Sequence, residues 1–438
     1  MDTSVTLKSK FKKLRWLIAT LLFLATVINY IDRQTLSIAI PVIRDELGIT
    51  NSDYSRIVFA FLLAYTIMQV VSGKVIDRLG TRTGFSIFIS WWSIASILHM
   101  FANTVAGFSF FRFLLGMGEA GNWPGSVKTI AEWFPAKERA LAAGFFNSGS
   151  SLGAVIAPPL ISWIIISYGW RKAFLITGAL GFFWLIAWLY LYHTPERHPR
   201  ISAKELSEIK EGRPISGEAT GSELRWVDLF RYRQLWALMA ARILSDPVWW
   251  FYVFWLPEYL KRQRNFSIAL IGMLAWIPFL FADIGNFVGG GTSSYLIKRG
   301  WSVGRARKTV MCISAAAMVA GIPAVLTSNS GYSLALISLV TLAYSSWAAN
   351  LITLPTDIFP KEVVASVYGV AGTAAGIGGM SFTLITGVVV DRFSYVPIFI
   401  AAGLLPILAA ITLVLLIGKV EPIVVPLREH RLKPSEQI

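Results

Sequence analysis

Apolar segments of about 20 residues recur along this chain, and short polar connections separate them. A helix of about 20 apolar residues is long enough to cross the roughly 30 Å hydrocarbon core of a bilayer. The pattern therefore predicts an all-α polytopic membrane protein with twelve transmembrane helices, arranged as two six-helix halves. The predicted spans lie near residues 14–40, 54–75, 84–102, 105–127, 140–166, 172–192, 234–259, 268–296, 307–327, 331–354, 364–390 and 396–418.

One long polar interruption, residues 193–233, divides these spans into two sets of six. It contains Pro195, Pro199 and Pro214 among many charged residues, a composition typical of a linker. Its segment Ala203–Lys210 could form a short surface helix. The predicted organisation is an N-terminal six-helix bundle over 1–192, a cytoplasmic linker over 193–233, a C-terminal six-helix bundle over 234–418 and a cytoplasmic tail over 419–438.

The two halves are related in sequence by a constant offset. Phe134-Pro135 matches Phe359-Pro360 at an offset of 225 residues (359 − 134 = 225), and Glu132 matches Asp357. Three small residues match at the same offset, namely Ala140 with Ala365, Gly144 with Gly369, and Gly153 with Gly378. Together with the six-plus-six spans, the repeat predicts a duplicated transporter with its binding site at the midplane between the halves.

Composition and charge agree with a membrane protein. Of the 438 residues 55% are hydrophobic and 15% are charged, whereas about 25% are charged in a typical soluble protein. The net charge of +15 could suggest a nucleic-acid partner, but the bases cluster in alternate connections, after the even-numbered spans. Cytoplasmic loops carry such an excess of Lys and Arg. We therefore predict a multi-pass protein of the bacterial inner membrane with both termini cytoplasmic, whose partner is the lipid bilayer and not nucleic acid.

Side chains that could hold a metal or form a disulfide are scarce. Cys312 is the only cysteine, which excludes an internal disulfide and a cysteine-rich metal site. The four histidines show no ligand spacing, and we interpret His99, alone on a span, as structural. No nucleophile–base constellation is present either. We predict no metal, no cofactor and no enzymatic activity.

The first span contains the stretch Asn29-Tyr30-Ile31-Asp32-Arg33, which places an acid beside a base within an apolar run. No charged residue occurs from Trp16 to Ile31 or from Gln34 to Ile43. A charge at the centre of a bilayer costs at least about 2.5–3.5 kcal/mol, and such residues usually mark substrate or proton pathways. A structural ion pair, or a charge that snorkels to the interface, is the alternative.

Arg112 and Glu119 lie seven residues apart on the fourth predicted span and therefore share one helix face. An Asp32–Arg112 pair is plausible, because the first and fourth spans cross in opposite directions and both side chains fall in the outer half. Glu119 then lacks an obvious permanent partner, unless it pairs with Arg112 on its own helix. Since desolvation favours a neutral carboxyl group, we predict that Asp32 and Glu119 are the proton carriers. Arg33 would bind the substrate carboxylate through its guanidinium fork.

Uncharged side chains supply the remaining candidates for substrate binding. Tyr65 could hydrogen-bond a carboxylate or a sugar hydroxyl, although helix packing would also explain it. Asn147 and Ser150 suit hydroxyl recognition or adhesion between helices. The second half offers aromatic rings, an amide and a hydroxyl that suit a polyhydroxylated ring, with an aromatic belt as the alternative for the tryptophans. These candidates are Trp249, Trp250, Asn350 and Thr373.

Ionisable residues within the spans of the second half form a different pattern. At the offset of 225, Glu119 corresponds to Tyr344 and Arg112 to Ile337, so the ionisable machinery is concentrated in the first half. Arg242 and Asp246 lie four residues apart, and Asp283 could reach them from the next span. We interpret Arg242, Asp246 and Asp283 as a structural or gating network.

The connection between the second and third spans runs from Gly73 to Arg82 and reads Gly-Lys-Val-Ile-Asp-Arg-Leu-Gly-Thr-Arg. Its glycines permit a tight turn. Asp77 could cap the next helix or hold a basic group of a neighbouring one, and we assign Asp77 and Arg78 to gating or structure. The pattern resembles the cytoplasmic loop signature of the major facilitator superfamily, although cytoplasmic charge and a turn would also explain it. A degraded version follows in the second half, within residues 290–308.

A closer resemblance extends over nearly the whole chain. The strings at residues 29–33, 132–139, 146–151 and 157–159 resemble the anion:cation symporter family of this superfamily. Those at residues 246–250 and 275–283 are similar to its hexuronate transporter branch. The resemblance implies the same coupling and binding roles for the positions that match those of related symporters, which are Asp32, Arg33, Tyr65, Arg112 and Glu119.

These observations predict a proton-coupled symporter that imports a monoanionic sugar acid, first of all a hexuronate, by alternating access and as a monomer. A carrier for aldonates, glucarate or another organic anion is the alternative within the same class. A transporter-like sensor of sugar acids is a second alternative, but it would need a large extra domain that the central loop is too short to provide.

Overall fold

The computed structural model describes residues 14–210, 226–359, 361–418 and 420–421. Residues 1–13, Pro214 and most of the predicted tail lie outside these residues. The first eight helices are α1 (Leu14–Leu47), α2 (Asn51–Leu79), α3 (Thr81–Leu98), α4 (Val105–Glu119), α5 (Asn122–Trp133), α6 (Ala136–Tyr168), α7 (Trp170–Leu191) and α8 (Ala203–Lys210). The others are α9 (Arg233–Arg264), α10 (Ile268–Leu274), α11 (Ile277–Lys298), α12 (Val303–Met318), α13 (Gly321–Leu326), α14 (Ser330–Ile358), α15 (Lys361–Arg392) and α16 (Val396–Ile417).

Turns between the long helices follow from local chemistry. Thr50 caps α2 by accepting a hydrogen bond from the backbone N–H of Asp53, whose carboxylate in turn accepts from the backbone N–H of Thr50. Gly80 separates α2 from α3 with a φ of 79°, and Gly169 separates α6 from α7 with a φ of 81°. Side chains disfavour this left-handed region, so glycine is the residue that permits both tight connections.

Nine segments of the described chain are long and apolar enough to cross a membrane, and the bent helix α2 makes ten. The other two of the twelve predicted spans correspond to α4 with α5 and to α9. The fourth predicted span is not one helix, because α4 ends at Glu119 and α5 begins at Asn122. The seventh, α9, carries Arg242, Asp246 and Glu258 along its length, which lowers its apolar character.

Helix boundaries repeat at the offset found in the sequence. The pair α4 and α5 extends from 105 to 133, and adding 225 gives 330 to 358, the bounds of α14. Helix α6, at 136–168, maps in the same way onto 361–393, one residue longer than α15. The duplication therefore extends to these helices, although the break between α4 and α5 has no counterpart in α14.

The chain divides into two compact units. The first comprises Met1–Pro214 with Phe254–Trp276, and the second comprises Ile215–Val253 with Ile277–Ile438. These bounds assign the last turns of α9, with α10, to the first unit. The predicted bounds of the bundles, linker and tail remain predictions.

Close helix packing in the first unit depends on small residues. Helices α1 and α6, α2 and α4, and α3 and α7 make its most extensive contacts. A Cβ atom on Gly116 would meet the carbonyl oxygen of Phe61, so α2 and α4 touch backbone to backbone. Gly118, Gly121 and Gly125 lie against aromatic residues of α3. The absence of a side chain at these glycines therefore allows the neighbouring helix to approach closely.

Glycines also allow close backbone contact in the corresponding pair of helices of the second unit. Helices α11 and α14 form its most extensive contact. A Cβ atom on Gly285 would meet the carbonyl oxygen of Leu342, and one on Gly289 would meet that of Ser346. Adding 225 to the bounds of α2 gives 276–304, which contains α11, so α2 with α4 and α11 with α14 are equivalent pairs.

Candidate functional site

Four charged side chains are buried in the interior of the first unit. Asp32 and Arg33 on α1 are each 1% exposed, as is Arg112 on α4, and Glu119 at the end of α4 is fully buried. Burying charges is costly unless each is paired or hydrogen-bonded. Their contacts therefore decide what this cluster can do.

Arg33 and Glu119 form the ion pair at the centre of the cluster. The guanidinium Nε and Nη2 atoms of Arg33 lie 2.9 and 2.8 Å from the same carboxylate oxygen, Oε2, of Glu119. Nη2 also donates to the side-chain oxygen of Asn29 at 3.3 Å, one helical turn earlier on α1. The expectation that Glu119 lacks a permanent partner is wrong, and so is its alternative, a pair with Arg112. The partner is the arginine predicted to bind substrate.

Aromatic rings surround the cation of Arg33. Its Cζ atom lies 4.8 Å from the ring centre of Tyr65, 4.9 Å from that of Tyr30 and 5.3 Å from that of Phe61. Phe61 and Tyr65 are themselves stacked, with ring centres 5.7 Å apart. Each ring attracts a cation over its face, by about 0.5–2 kcal/mol depending on burial. Tyr65 thus lies beside Arg33, where the sequence placed it among the binding candidates.

Asp32 and Arg112 make separate contacts and do not pair with one another. Among the ion pairs of the described residues neither takes part, so the predicted Asp32–Arg112 pair is not formed. Asp32 instead accepts a hydrogen bond from Ser96 on α3 at 2.8 Å. Arg112 donates through Nη2 to the backbone carbonyl of Arg33 at 3.1 Å. The reason is rotational: Asp32 faces α3, whereas Arg33, the next residue, faces α4.

Several polar atoms in this cluster have no hydrogen-bond partner within the described protein. They include Oε1 of Glu119, and Nε and Nη1 of Arg112. An unsatisfied buried donor or acceptor costs about 1–3 kcal/mol, and more when it is charged. A proton on Glu119, or an anion beside Arg112, would reduce that cost. The cluster is therefore suited to exchanging charge rather than to stability alone.

Asn147 and Ser150 on α6 lie near this cluster through intermediate residues. The indole N–H of Trp123 donates to the side-chain oxygen of Asn147 at 3.3 Å, and the Trp123 ring lies 6.2 Å from that of Tyr30. Ser150 donates to the backbone carbonyl of Asn147 at 2.7 Å. Sequence reasoning assigned no role to Trp123 or Ser96. The contact of Asn29 with Arg33 could have been predicted, because residues four apart lie on the same face of a helix.

The candidates of the second unit have partners inside that unit. Trp249 stacks on Tyr344 with ring centres 5.7 Å apart. Trp250 packs beneath Gly379. The amide of Asn350 donates to the carbonyl oxygens of Gly289 at 3.1 Å and Ser346 at 3.0 Å, which joins α14 to α11. The exposed Thr373 donates to the carbonyl of Gly369, one turn earlier, at 3.1 Å.

Arg242 and Asp246 pair as their spacing predicted, with Nε of Arg242 3.0 Å from Oδ2 of Asp246. The other oxygen of Asp246 accepts from Ser245 at 3.2 Å and from the hydroxyl of Tyr344 at 3.3 Å. Asp283 is half-buried on α11. Because Tyr344 also stacks on Trp249, this pair and Trp249 belong to one local network.

Charged residues near the helix ends also form contacts within each unit. In the first, Asp77 pairs with Lys128 of α5 at 2.9 Å, which is the second of the two roles predicted for it, whereas Arg78 is exposed. Glu132 accepts from Thr81 at 2.6 Å. In the second, Asp357 pairs with Arg307 at 2.5 Å. Glu132 and Asp357 are the acids related by the repeat, and each contacts the first turns of α3 or α12.

The comparison with known families decides the class of this protein. Residues 22–383 match the Major Facilitator Superfamily, and a second match covers residues 300–436. The chain belongs to the Major Facilitator Superfamily. This membership confirms the predicted all-α major facilitator fold and a multi-pass membrane protein.

Two relatives in this superfamily are named transporters. The chain is 34% identical over 407 residues to the hexuronate transporter of Escherichia coli (strain K12), which covers 92% of this chain and 94% of that protein. It is 38% identical over 283 residues to the galacturonate transporter of Dickeya chrysanthemi, with 64% and 82% covered. Among solved structures it is similar to a D-xylose-proton symporter, with a TM-score of 0.71, 16% identity, and 93% and 98% covered. The prediction of a transporter rather than an enzyme is confirmed.

Proposed function

We propose that this protein is a proton-coupled symporter that imports a hexuronate. The observation that carries the proposal is the buried ion pair of Arg33 with Glu119. Arg33 is suited to bind the carboxylate of a sugar acid, and here it binds the carboxylate of Glu119 instead. The relatives named as hexuronate and galacturonate transporters support the choice of solute. A hexuronate carries one carboxylate, which matches the single carboxylate that Arg33 holds here.

Competition for Arg33 would couple the proton to the solute. Removing one partner from a buried ion pair leaves an uncompensated charge, which costs about 3–5 kcal/mol. When Glu119 takes up a proton it loses its charge, and Arg33 then needs another anion. The carboxylate of the substrate would supply it. Loss of the proton from Glu119 would restore the internal pair and favour release of the substrate.

Asp32 is the second proton carrier in this proposal. It accepts a hydrogen bond from Ser96, a neutral donor, and no ion pair among the described residues holds it in the charged state. One proton per monoanion makes transport electroneutral. Two protons carry one net charge inward, which a membrane potential favours by about 2.3 kcal/mol per 100 mV. The presence of two buried acids supports the second stoichiometry.

Sugar hydroxyls would be recognised by the neutral groups near Arg33. Tyr65 offers a phenol beside the guanidinium, and Asn147 and Ser150 offer an amide and a hydroxyl on α6. In the second unit Trp249, Trp250, Asn350 and Thr373 remain proposed contacts. Asn350 also has a buried side-chain oxygen without a partner in the described protein, which suits a hydroxyl donor.

We further propose that the protein lies in the bacterial inner membrane as a monomer, with both termini in the cytoplasm. The base-rich connections after the even-numbered spans support this orientation. The predicted bundles over 1–192 and 234–418 would alternate in exposing the site. A carrier for aldonates, glucarate or another organic anion is the second candidate, because any solute with at least one free carboxylate could satisfy Arg33.

Uptake into proteoliposomes tests the function. With an inward proton gradient, labelled galacturonate or glucuronate should accumulate, and galactonate or glucarate should compete weakly. Stronger competition by galactonate or glucarate would favour the second candidate. Current during uptake would support two protons per solute, and electroneutral uptake would exclude that stoichiometry. Absence of accumulation of every sugar acid, in protein that binds them, would favour a sensor.

A further inference from the structure

A groove on the outside of the first unit lies between α3 and α7, away from the buried charges. Its volume is about 660 Å³, within the roughly 300–1,000 Å³ typical of small-molecule sites. Exposed apolar side chains form its walls, including Ile87, Trp91 and Ile94 from α3 and Leu189 from α7. A groove of this kind on a membrane-spanning unit is accessible to lipid.

The length of the groove corresponds to one leaflet. Its lining residues on α3 recur every turn from Arg82 to Ile94. Twelve residues of helix extend about 18 Å at 1.5 Å per residue. The hydrocarbon core is about 30 Å thick, so one leaflet contributes about 15 Å. One acyl chain lying along α3 would therefore fill the groove from end to end.

A cation lies at one end of the groove. Arg82 is exposed and lines the groove where α3 begins and α7 ends. One guanidinium nitrogen donates to the backbone carbonyl of Leu189, which fixes the side chain over the end of α7. None of the ion pairs described for this chain includes Arg82, so its charge is not neutralised by a described carboxylate. Guanidinium binds phosphate oxygens well.

Hydroxyl groups continue from this cation into the groove. Thr83 and Ser86 lie within the first two turns of α3 and line the same end, whereas Ile94 lines the other. Ser86 donates to the carbonyl of Arg82 at 2.8 Å. The indole N–H of Trp91 donates to the carbonyl of Leu114 at 2.8 Å, so its ring offers apolar surface to the groove. Polarity therefore falls along the groove, as it does along a phospholipid.

We propose that this groove binds an anionic phospholipid, with the headgroup phosphate at Arg82 and one acyl chain along Ile87, Trp91 and Ile94. The charge of Arg82 selects an anionic headgroup over a zwitterionic one. The apolar walls select a lipid over a free anion. This site is separate from the proposed transport site, and it does not depend on the solute carried.

Native mass spectrometry of the full-length protein tests this site. The protein would be equilibrated in detergent micelles with equal amounts of dioleoylphosphatidylglycerol and dioleoylphosphatidylcholine. We expect retained phosphatidylglycerol to exceed phosphatidylcholine about fivefold, the preference that one basic residue near the surface confers. Equal retention of the two lipids would overturn the proposal, as would displacement of phosphatidylglycerol by millimolar inorganic phosphate.

Variants separate the charge from the walls of the groove. Arg82→Gln should lower the ratio of retained phosphatidylglycerol to retained phosphatidylcholine to about one. The amount of retained phosphatidylcholine should not fall. Ser90→Trp, which fills the groove, should reduce retention of both lipids. Lys204→Gln, which removes an exposed cation of α8 that does not line the groove, should keep the fivefold preference. A preference that survives Arg82→Gln, or retention of both lipids that survives Ser90→Trp, contradicts the proposal. If Arg82→Gln fails to fold, Ser90→Trp decides alone.

Discussion

Both nitrogens that Arg33 directs towards Glu119 contact one oxygen of that carboxylate, at 2.9 and 2.8 Å. The other oxygen of Glu119 has no hydrogen-bond partner within the described protein. Two nitrogens of the Arg33 guanidinium thus have a partner in this pair, but only one oxygen of the Glu119 carboxylate does. An acid held in this way can take up a proton at its second oxygen before the contact with Arg33 is lost.

Replacing Glu119 by Gln should abolish proton-driven accumulation and keep exchange of substrate. The amide preserves the shape of the side chain but cannot take up a proton at Oε1. Accumulation should fall at least about tenfold, to the level set by equilibration, while counterflow persists. Glu46→Gln is the matched control, because Glu46 pairs with Arg171 on the surface, where both are about two-fifths exposed. Undiminished accumulation by Glu119→Gln would show that the proton site lies elsewhere.

Substrate should stabilise the Glu119→Gln variant more than it stabilises the parent. In the variant Arg33 is a buried cation without its anion, which lowers the free energy of unfolding by about 3–5 kcal/mol. A substrate carboxylate replaces that anion. The rise in melting temperature on adding galacturonate should therefore be larger in Glu119→Gln than in the parent, and absent in Arg33→Ala. Equal rises in the first two proteins would argue against competition for Arg33.

Substitutions of Tyr65 separate its ring from its hydroxyl. The ring centre lies 4.8 Å from the guanidinium carbon of Arg33, so Tyr65→Phe keeps the cation–π contact and Tyr65→Leu removes it. Loss of the ring should weaken binding by about 0.5–2 kcal/mol. Isothermal titration with galacturonate should give a small loss of affinity for Tyr65→Phe and a further loss for Tyr65→Leu. Equal losses would assign the effect to the hydroxyl group.

Gly116→Ala should destabilise the first unit through the contact of α2 with α4. The new methyl group would meet the backbone carbonyl of Phe61, which cannot rotate away. Overpacking of this kind typically costs about 1–3 kcal/mol. Gly144→Ala is the control, since a Cβ atom there meets nothing within 4 Å. The melting temperature of Gly144→Ala should equal or exceed that of the parent. If both variants lose a similar amount of stability, the close approach of α2 to α4 at Gly116 does not explain the loss.

Arg44 and Glu258 should be strongly coupled within the first unit. Glu258, in the last turns of α9, is fully buried and pairs with Arg44 near the end of α1. Glu258→Gln removes the buried acid itself, whereas Arg44→Gln leaves Glu258 its pair with Arg262 at 3.2 Å. Arg44→Gln should therefore cost less than the roughly 3–5 kcal/mol of an unpaired buried charge, and the double variant should recover part of the loss. Equilibrium unfolding in mixed micelles measures this coupling. The exposed Arg171–Glu46 pair should give at most about 1 kcal/mol in the same cycle.

His198 should make the protein less stable as the pH falls. Burial lowers the pKa of its imidazole, which accepts from the backbone N–H of Arg200 through Nδ1 and lies 3.1 Å from the carbonyl of Leu191 through Nε2. The unfolded chain binds the proton more readily, with a pKa of about 6.5. The contribution of neutral His198 to the free energy of unfolding is therefore complete above about pH 6.5 and is lost as the pH falls below that value. Melting temperatures at pH 7.5 and 5.0 should differ less in His198→Gln than in the parent.

The membrane class and the positions of the long apolar segments were accessible from sequence because they depend on local patterns. Apolar length identified the spans, and the spacing of four identified the Arg242–Asp246 pair. The break between Glu119 and Asn122 was less accessible, since Gly118 and Gly121 also suit close packing in a continuous helix. Charge on α9 did not prevent its prediction as a span, since flanking apolar residues compensate.

The pairing within the charged cluster could not be deduced from spacing. Asp32 and Arg33 are adjacent, so their side chains point about 100° apart around α1, and the helix rotation decides which of them faces α4. That rotation depends on packing against α6, where Gly149 and Gly153 lie on the backbone of α1. The sequence identified the four ionisable residues, but their partners required the tertiary contacts.

The interruption after Glu119 has no equivalent in α14, where Tyr344 occupies the matching position. After the ancestral duplication the two copies thus diverged in backbone as well as in side chains. Under the proposed mechanism only the amino-terminal copy converts energy. Cargo preference could then evolve, or be engineered, through the carboxy-terminal copy without altering the driving force.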